Sequence, residues 1–284
     1  MLPGRVELPR NAAQRKEPNG ARSRTVHRIL SILLIWLLSN AAPAGAAQWR
    51  FVTEDFPPFT YPADAPASET AGVGAAGPFV EVVHAICARL QHQCTITLYP
   101  WQRAFRLAEQ GQVDGIFTLT PSPQREQMFH ISRMLVTSRY SVFAQAESSF
   151  VFNQPGDVAG RLVGVYGPSG TSYVLSERLK SVPDVRLHLT TDNRRLLRML
   201  QSGRFGVDGL AVLNQDVAWH LIEEEQLADV REAGEMGPIS YGIGLSRKTV
   251  SAAQFEAFEQ ALDAAIADGT VPKILRRHQL EAAF

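Results

Sequence analysis

Cysteine is nearly missing from this chain: Cys87 and Cys94 are the only two in 284 residues. With so few thiols, and seven histidines scattered rather than set at ligand spacing, no metal centre is expected. No apolar stretch reaches the roughly 18–20 residues that cross a bilayer as a helix. No GxSxG, no HExxH and no catalytic carboxylate pair at a recognisable spacing is found, which removes the common hydrolase signatures. The turn from Gly164 to Gly170-Thr171 lacks the lysine of a phosphate loop, so nucleotide binding is not expected, and no cofactor is implied. Neither sign of charge is in excess, with 28 Lys/Arg against 28 Asp/Glu. Residues 1–47 carry seven of the basic and two of the acidic residues, so the rest of the chain holds 21 and 26, a net charge of −5. A mildly acidic chain is a poor partner for nucleic acid, which requires a basic face.

What is present is ordinary globular composition, 45% hydrophobic and 20% charged, enough for one large or two modest domains. Arg22, Arg24, His27 and Arg28 precede the Ile/Leu-rich run Ile29–Leu38, and small residues follow from Ala41 to Ala47. This order is that of a secretory signal peptide, with cleavage expected after Ala46 or Ala47 and a periplasmic destination. An uncut anchor is the alternative. Residues 1–21, polar and without periodicity, read as a non-native extension ahead of the signal. Cys87 and Cys94 would then meet an oxidising compartment. They sit late on a predicted helix and at the start of the next strand, where a disulfide would staple the turn; two buried thiols are the other reading.

The remaining chain alternates strands and helices. Trp49–Thr53 reads as a strand, followed by Glu54-Asp55-Phe56-Pro57-Pro58-Phe59, a stiff turn expected to hold Phe56 and Phe59 outward. Pro78 opens a helix whose apolar face is Phe79, Val82, Val83, Ile86 and Leu90. A strand over Thr95–Leu98, a helix over Trp101–Gln110 stopped by Gly111, and a strand over Val113–Leu119 complete a β-α-β-α-β block. Thr137–Gln145 is extended, and the pattern then restarts. Strands at Arg161–Tyr166, Val185–Leu189 and Val207–Leu213 alternate with helices, the first led into by the Gly-rich turn Gly167–Ser172, the others opened by Asp192 and by Asn214 with Asp216. Ile239–Leu245 returns as a strand. Ser251 with Gln254 forms a capping box for a long helix that ends at Gly269, and a short helix follows Pro272. The fold class is α/β, two lobes each with a mainly parallel sheet flanked by helices. If the strand near 240 crosses back, residues 48–138 and 240–284 form lobe 1 and 139–239 lobe 2.

One stretch carries the chemistry. DGIFTLTPSPQR, Asp114–Arg125, begins as a buried strand and breaks into residues that cannot continue a ladder. It presents Thr118, Thr120 and Arg125, and a guanidinium grips a carboxylate through two parallel hydrogen bonds. In open α/β sheets ligands bind beyond the C-terminal strand ends. That rule adds Phe56, the helix start at Ser169, Thr171 and Ser172, where backbone N–H groups favour an anion, and Asn214 with Asp216.

EDFPPF with GPFVEVV, PWQRAF with GQVDGIFTLTPSPQR, and GRLVGVYGPSGTS behind a signal peptide resemble the bacterial extracellular solute-binding proteins of family 3, the polar amino-acid type. The resemblance runs from Trp49 to the C-terminus. It implies a type II periplasmic binding protein fold, two lobes joined by two hinge strands and closing on a small solute. It implies that Arg125 binds a ligand α-carboxylate, with Thr118 and Thr120 beside it, Phe56 covering the ligand, and Thr171 and Ser172 donating from the second lobe. Amino-acid binders of this type place an acidic residue just after the strand near 207–213 to hold the α-ammonium. Here that spacing falls on Leu213 or Asn214, with Asp216 two residues late, which leaves an amino-acid ligand or another carboxylate open. The implied protein is a monomeric, non-enzymatic carrier serving an ABC transporter permease or a membrane sensor. A secreted dehydratase or lyase is the alternative, with Glu54, Asp55 and Asp216 as its candidate acids and bases, and a ligand-sensing accessory protein is a third.

Overall fold

A computed structural model describes residues 47–63 and 73–284. The expected signal peptide and the 1–21 extension lie outside the described residues. The chain opens with β1 (Gln48–Thr53), then β2 (Tyr61–Pro62) and β3 (Val73–Ala76), an antiparallel pair inside what the sequence suggests is a plain loop. Helix α1 (Pro78–Arg89) begins where expected, with Pro78 in the first turn and Phe79, Val82, Val83 and Ile86 buried. Its N-cap must be glycine: Gly77 has φ +115, and a Cβ there would meet the Phe59 carbonyl oxygen at 2.7 Å. β4 (Gln93–Leu98), α2 (Trp101–Glu109) and β5 (Gly115–Leu119) follow. Cys87 on α1 and Cys94 on β4 are joined by a disulfide.

Past β5 the structure departs from the expected loop. Ser122 caps a short helix α3 (Pro123–Met128) by accepting a hydrogen bond from the Arg125 backbone N–H at 3.2 Å, so Arg125 is helical. β6 (Phe129–Ile131) and the ten-residue β7 (Val136–Gln145) lead into the second block. That block comprises β8 (Leu162–Tyr166), α4 (Gly170–Arg178), β9 (Arg186–Thr190), α5 (Asn193–Gln201), β10 (Leu210–Asn214) and α6 (Gln215–Glu224). β11 (Val230–Ser246) is 17 residues long, far beyond the expected Ile239–Leu245. Helix α7 (Ala252–Ala267) carries the Ser251–Gln254 capping box, α8 (Thr270–Arg277) starts ahead of Pro272 rather than after it, and β12 (Glu281–Ala282) ends the chain.

The strands form one path, β2-β3-β4-β1-β5-β11-β7-β10-β8-β9, with β6 on β11 and β12 on β7. β11 answers where the strand near 240 belongs. Its C-terminal part pairs with β5 and β6, and its N-terminal part pairs with β7 in the second block. Two lobes are therefore joined by the long antiparallel strands β7 and β11. Within each lobe the order is the same: β1 lies between β4 and β5, and β8 between β9 and β10, all parallel. In such an order the connections leave the first strand and its later neighbour toward opposite faces, and a crevice opens between their C-terminal ends. The ends of β1, β5, β8 and β10 are thus the places for a ligand.

Candidate functional site

Those strand ends meet in the cleft. Glu54, Phe56, Thr118, Thr120 and Arg125 from the first lobe, with Trp101, face Tyr166, Ser169, Gly170 and Thr171 from the second, while Tyr140 and Tyr241 rise from the two connecting strands. Together they line a central chamber of only about 20 Å³, so the two lobes are closed upon each other. The chamber lies between two larger spaces. One, about 600 Å³, runs past Trp101, Phe105 and Arg125 to Ser169 and the exposed Tyr173. The other, about 350 Å³, is lined by Glu54, Asp55, Tyr99, Tyr166, Asp192 and Arg194 among others.

Arg125 is held from three sides. Its Nη1 donates to the Thr120 carbonyl oxygen at 2.7 Å and to Thr120 Oγ1 at 2.5 Å. Its guanidinium carbon lies 5.6 Å from the Trp101 ring centroid and 5.7 Å from that of Phe105. This aromatic shelf fixes the plane of the fork and shields it from water. Burial lowers the Arg125 pKa, yet guanidinium remains a cation at any physiological pH. Opposite it is the mouth of α4: a Cβ built on Gly170 would be 3.5 Å from Nη2. Gly170 and Thr171 at that mouth line the same chamber as Arg125, an arrangement suited to a carboxylate.

Thr118 sits in strained backbone. Its φ is +57, unusual for a β-branched residue. It is the extra residue where β5 bulges against β11, since Phe117 pairs with Ile243 and Leu119 with Gly242. The bulge turns the Thr118 hydroxyl to 3.2 Å from that of Thr53 at the end of β1.

Glu54 brings a carboxyl group to the chamber. It is buried, accepts a hydrogen bond from the Tyr166 hydroxyl across the lobes, and has its pKa pushed up to about 8, burial being the main cause. The nearby Arg125 charge pulls the other way and does not compensate. Tyr140 and Tyr241 are buried with it, and burial raises both phenols, so both stay neutral donors. Asp55, at the edge of the 350 Å³ cavity, is raised by burial as well.

Three residues expected in the site are not in the chamber. Ser172 spends its hydroxyl on the α4 cap, accepting from the Ser169 backbone N–H at 2.9 Å and donating to the Ser169 carbonyl oxygen at 3.1 Å. Asn214 caps α6 through Oδ1 and the Val217 N–H at 3.1 Å, and its Nδ2 donates to Ser138 at 2.8 Å and to the Tyr241 hydroxyl at 3.1 Å, one layer behind the chamber. Asp216 accepts from Ser138 Oγ instead of facing a ligand. Phe56 lines the chamber, packed on Phe59 and Tyr241. Phe59 does not point outward: it is fully buried against Phe79. Tyr140, Tyr166, Tyr241 and Trp101 were not expected. Tyr166 ends β8 while Tyr140 and Tyr241 lie inside β7 and β11, far apart in sequence; the TLTP break, the EDFPPF turn and the helix start at Ser169 marked the chamber in advance.

The comparisons agree with this geometry. Among curated proteins no sequence match is found. Among solved structures, a histidine kinase sensor domain described as similar to periplasmic binding proteins superposes with a TM-score of 0.72 at 19% identity, covering 84% of this chain and 98% of that one. An ancestral arginine-binding protein bound to arginine gives 0.69 at 20% identity, covering 81% and 97%. The amino acid ABC transporter substrate-binding protein AbpA from Streptococcus pneumoniae, bound to L-arginine, gives 0.68 at 17%, covering 82% and 94%. At these identities the likeness is one of fold: a type II periplasmic binding protein. Residues 50–281 match the sequence family described as bacterial extracellular solute-binding proteins, family 3, and with its two lobes, connecting strands and cleft the chain belongs to that family.

Proposed function

We propose that this protein is a periplasmic carrier that captures a small carboxylate-bearing solute between its lobes and hands the closed complex to an ABC transporter in the inner membrane. Residues 48–138 and 240–284 act as one lobe and 139–239 as the other. The signal peptide read in residues 22–47 delivers the chain to the periplasm, where it works as a monomer. The observation that carries the reading is Arg125: a guanidinium braced by Thr120, shelved on Trp101 and Phe105, and facing the N-terminal mouth of α4 across the cleft. A solute carboxylate that replaces the Thr120 contacts with contacts to both lobes favours the closed form, and closure is shifted only by that differential binding. Catalysis is not part of the reading. Of the candidate acids and bases, Asp216 is bonded to Ser138, while Glu54 lines the chamber and accepts from Tyr166.

A thermal-shift screen of amino acids, small carboxylates and polyamines against the mature chain tests it. Carboxylates are expected to raise Tm, and Arg125→Ala is expected to abolish the shift. A shift that survives the substitution at saturating solute removes Arg125 from the site. A second reading, presentation of the solute to a membrane receptor, draws on the likeness to the kinase sensor domain. Co-purification with a receptor rather than with a permease separates the two.

A further inference from the structure

The hydrogen bonds of Asn214 have a direction that the carboxylate reading does not use. Asn214 is buried at the end of β10 and pairs with Tyr140 of β7. A backbone N–H can only donate, so the bond from the Val217 N–H at 3.1 Å fixes which side of the amide is Oδ1. Nδ2 then gives its two hydrogens to Ser138 Oγ at 2.8 Å and to the Tyr241 hydroxyl at 3.1 Å. Ser138 passes its own hydrogen to Asp216. Tyr241 receives from Asn214, so its single hydrogen turns away from the amide, toward the Tyr140 hydroxyl to which it is bonded. Tyr140 receives in turn, and its hydrogen is left for the neighbouring Thr171 hydroxyl or for a solute.

Both phenols line the central chamber with Arg125, and both are buried and neutral. Reversing the row would mean turning the amide, which would set Nδ2 against the Val217 N–H and uncap α6. The row therefore delivers hydrogens toward the chamber, beside a guanidinium cation. An oxygen acceptor suits that place. An ammonium group, which has only hydrogens and a positive charge, does not. Glu54 is bonded to Tyr166 and keeps its proton to about pH 8, so at neutral pH it supplies no anion to offset this. The chamber is about 20 Å³, roughly the room of a single water, so the group that meets Tyr140 must sit on the carbon next to the carboxylate.

Resting on the carboxylate reading, we propose that Tyr140, oriented by Asn214 through Tyr241, selects solutes with an oxygen on the carbon next to the carboxylate. The ligand class is 2-oxo and 2-hydroxy carboxylates, in preference to 2-amino acids. Tyr140 contacts the solute oxygen, and Tyr241 and Asn214 are positioning residues. A site built around a donor rejects the analogue that cannot accept from it, because the donor is then left unpaired in a closed chamber.

Isothermal titration at pH 7 on the mature protein tests this with two matched sets. One is pyruvate, L-lactate, L-alanine and propionate. The other is phenylpyruvate, L-phenyllactate, L-phenylalanine and 3-phenylpropionate, whose larger body can use the 600 Å³ space beyond Arg125. The oxo or hydroxy acid is expected to bind at least about tenfold more tightly than the unsubstituted acid of its set. The amino acid is expected to bind no more tightly than the unsubstituted one. This ratio is taken within one variant, so a general loss of stability does not move it. In Tyr140→Phe it is expected to fall to near one. In Tyr241→Phe, which keeps the Tyr140 hydroxyl but removes the bond that orients it, the ratio is expected to fall as well. Equal affinity for substituted and unsubstituted acids, or tighter binding of the amino acid, overturns the inference and leaves the Arg125 reading standing. So does a ratio that survives Tyr140→Phe. A ratio lost in Tyr140→Phe but untouched in Tyr241→Phe overturns the role given to Tyr241 and Asn214. Binding of none of these acids overturns the inference, and the thermal-shift screen then decides the Arg125 reading on its own.

Discussion

Gly170 at the start of α4 stands against the Arg125 guanidinium of the other lobe, so close that a Cβ on it would lie 3.5 Å from Nη2, 3.6 Å from Nη1 and 3.2 Å from Thr120 Oγ1. One methyl would only crowd the Thr120 hydroxyl. Two further methyls would occupy the space into which a carboxylate must fit when the lobes shut. Gly170→Val is therefore expected to weaken carboxylate binding at least tenfold, with a larger radius of gyration in solution scattering at saturating solute. The core of each lobe is untouched, so Tm of the empty protein should shift little. Unchanged affinity would show that α4 and α3 are not opposed in the bound state.

The contrast between what the sequence signalled and what it hid has physical causes. The β5 strand, its break at Thr120-Pro121 and the helix mouth at Ser169 were legible because periodicity and turn chemistry are local. Helix α3 was hidden because six residues are too few to show a period, although Ser122-Pro123 is a good cap and first turn. β11 looked short because Gly234 and Gly237, with φ of +149 and +146, sit where its register slips against β7 and break the alternation that marks a strand. The tyrosines of the chamber were hidden for a different reason. Tyr140, Tyr166 and Tyr241 become neighbours only when the chain crosses twice between lobes, and no spacing rule encodes that return. Glu54 read as a turn residue because its burial is created by the opposite lobe.

That burial gives the fold a pH dependence whose sign is fixed. The Glu54 carboxyl titrates near 4.5 when free in water and at about 8 in the closed protein. A carboxyl raised on folding contributes its full stabilisation below pH 4.5, and the contribution is lost as pH climbs to about 8. A tenfold change in a protonation equilibrium is worth roughly 1.4 kcal/mol, so the loss across that range is on the order of a few kcal/mol. Melting curves of the empty protein between pH 5 and pH 8.5 should show Tm falling with pH in the wild type and falling less in Glu54→Gln. Parallel curves would mean that Glu54 is ionised throughout.

Asn214→Asp tests whether the position behind the chamber can serve a ligand ammonium. Aspartate preserves the cap, since one carboxylate oxygen can still accept from the Val217 N–H as Oδ1 does at 3.1 Å. It loses both donations from Nδ2, at 2.8 Å to Ser138 and 3.1 Å to Tyr241. Ser138 cannot turn its hydrogen toward the new acceptor without abandoning Asp216, to which it already donates. A buried oxygen thus meets a buried oxygen, with a second carboxylate two residues away. Unsatisfied buried groups cost about 1–3 kcal/mol, and a protein of this size loses about 2–4 °C of Tm per kcal/mol. Asn214→Asp is expected to lower Tm by several degrees, more at pH 8 than at pH 5, because burial resists ionisation of the new carboxyl. It should bring no gain for an α-amino acid over the same acid without its amino group, since Tyr241 stands between position 214 and the chamber. A gain of tenfold or more would place an ammonium site at 214.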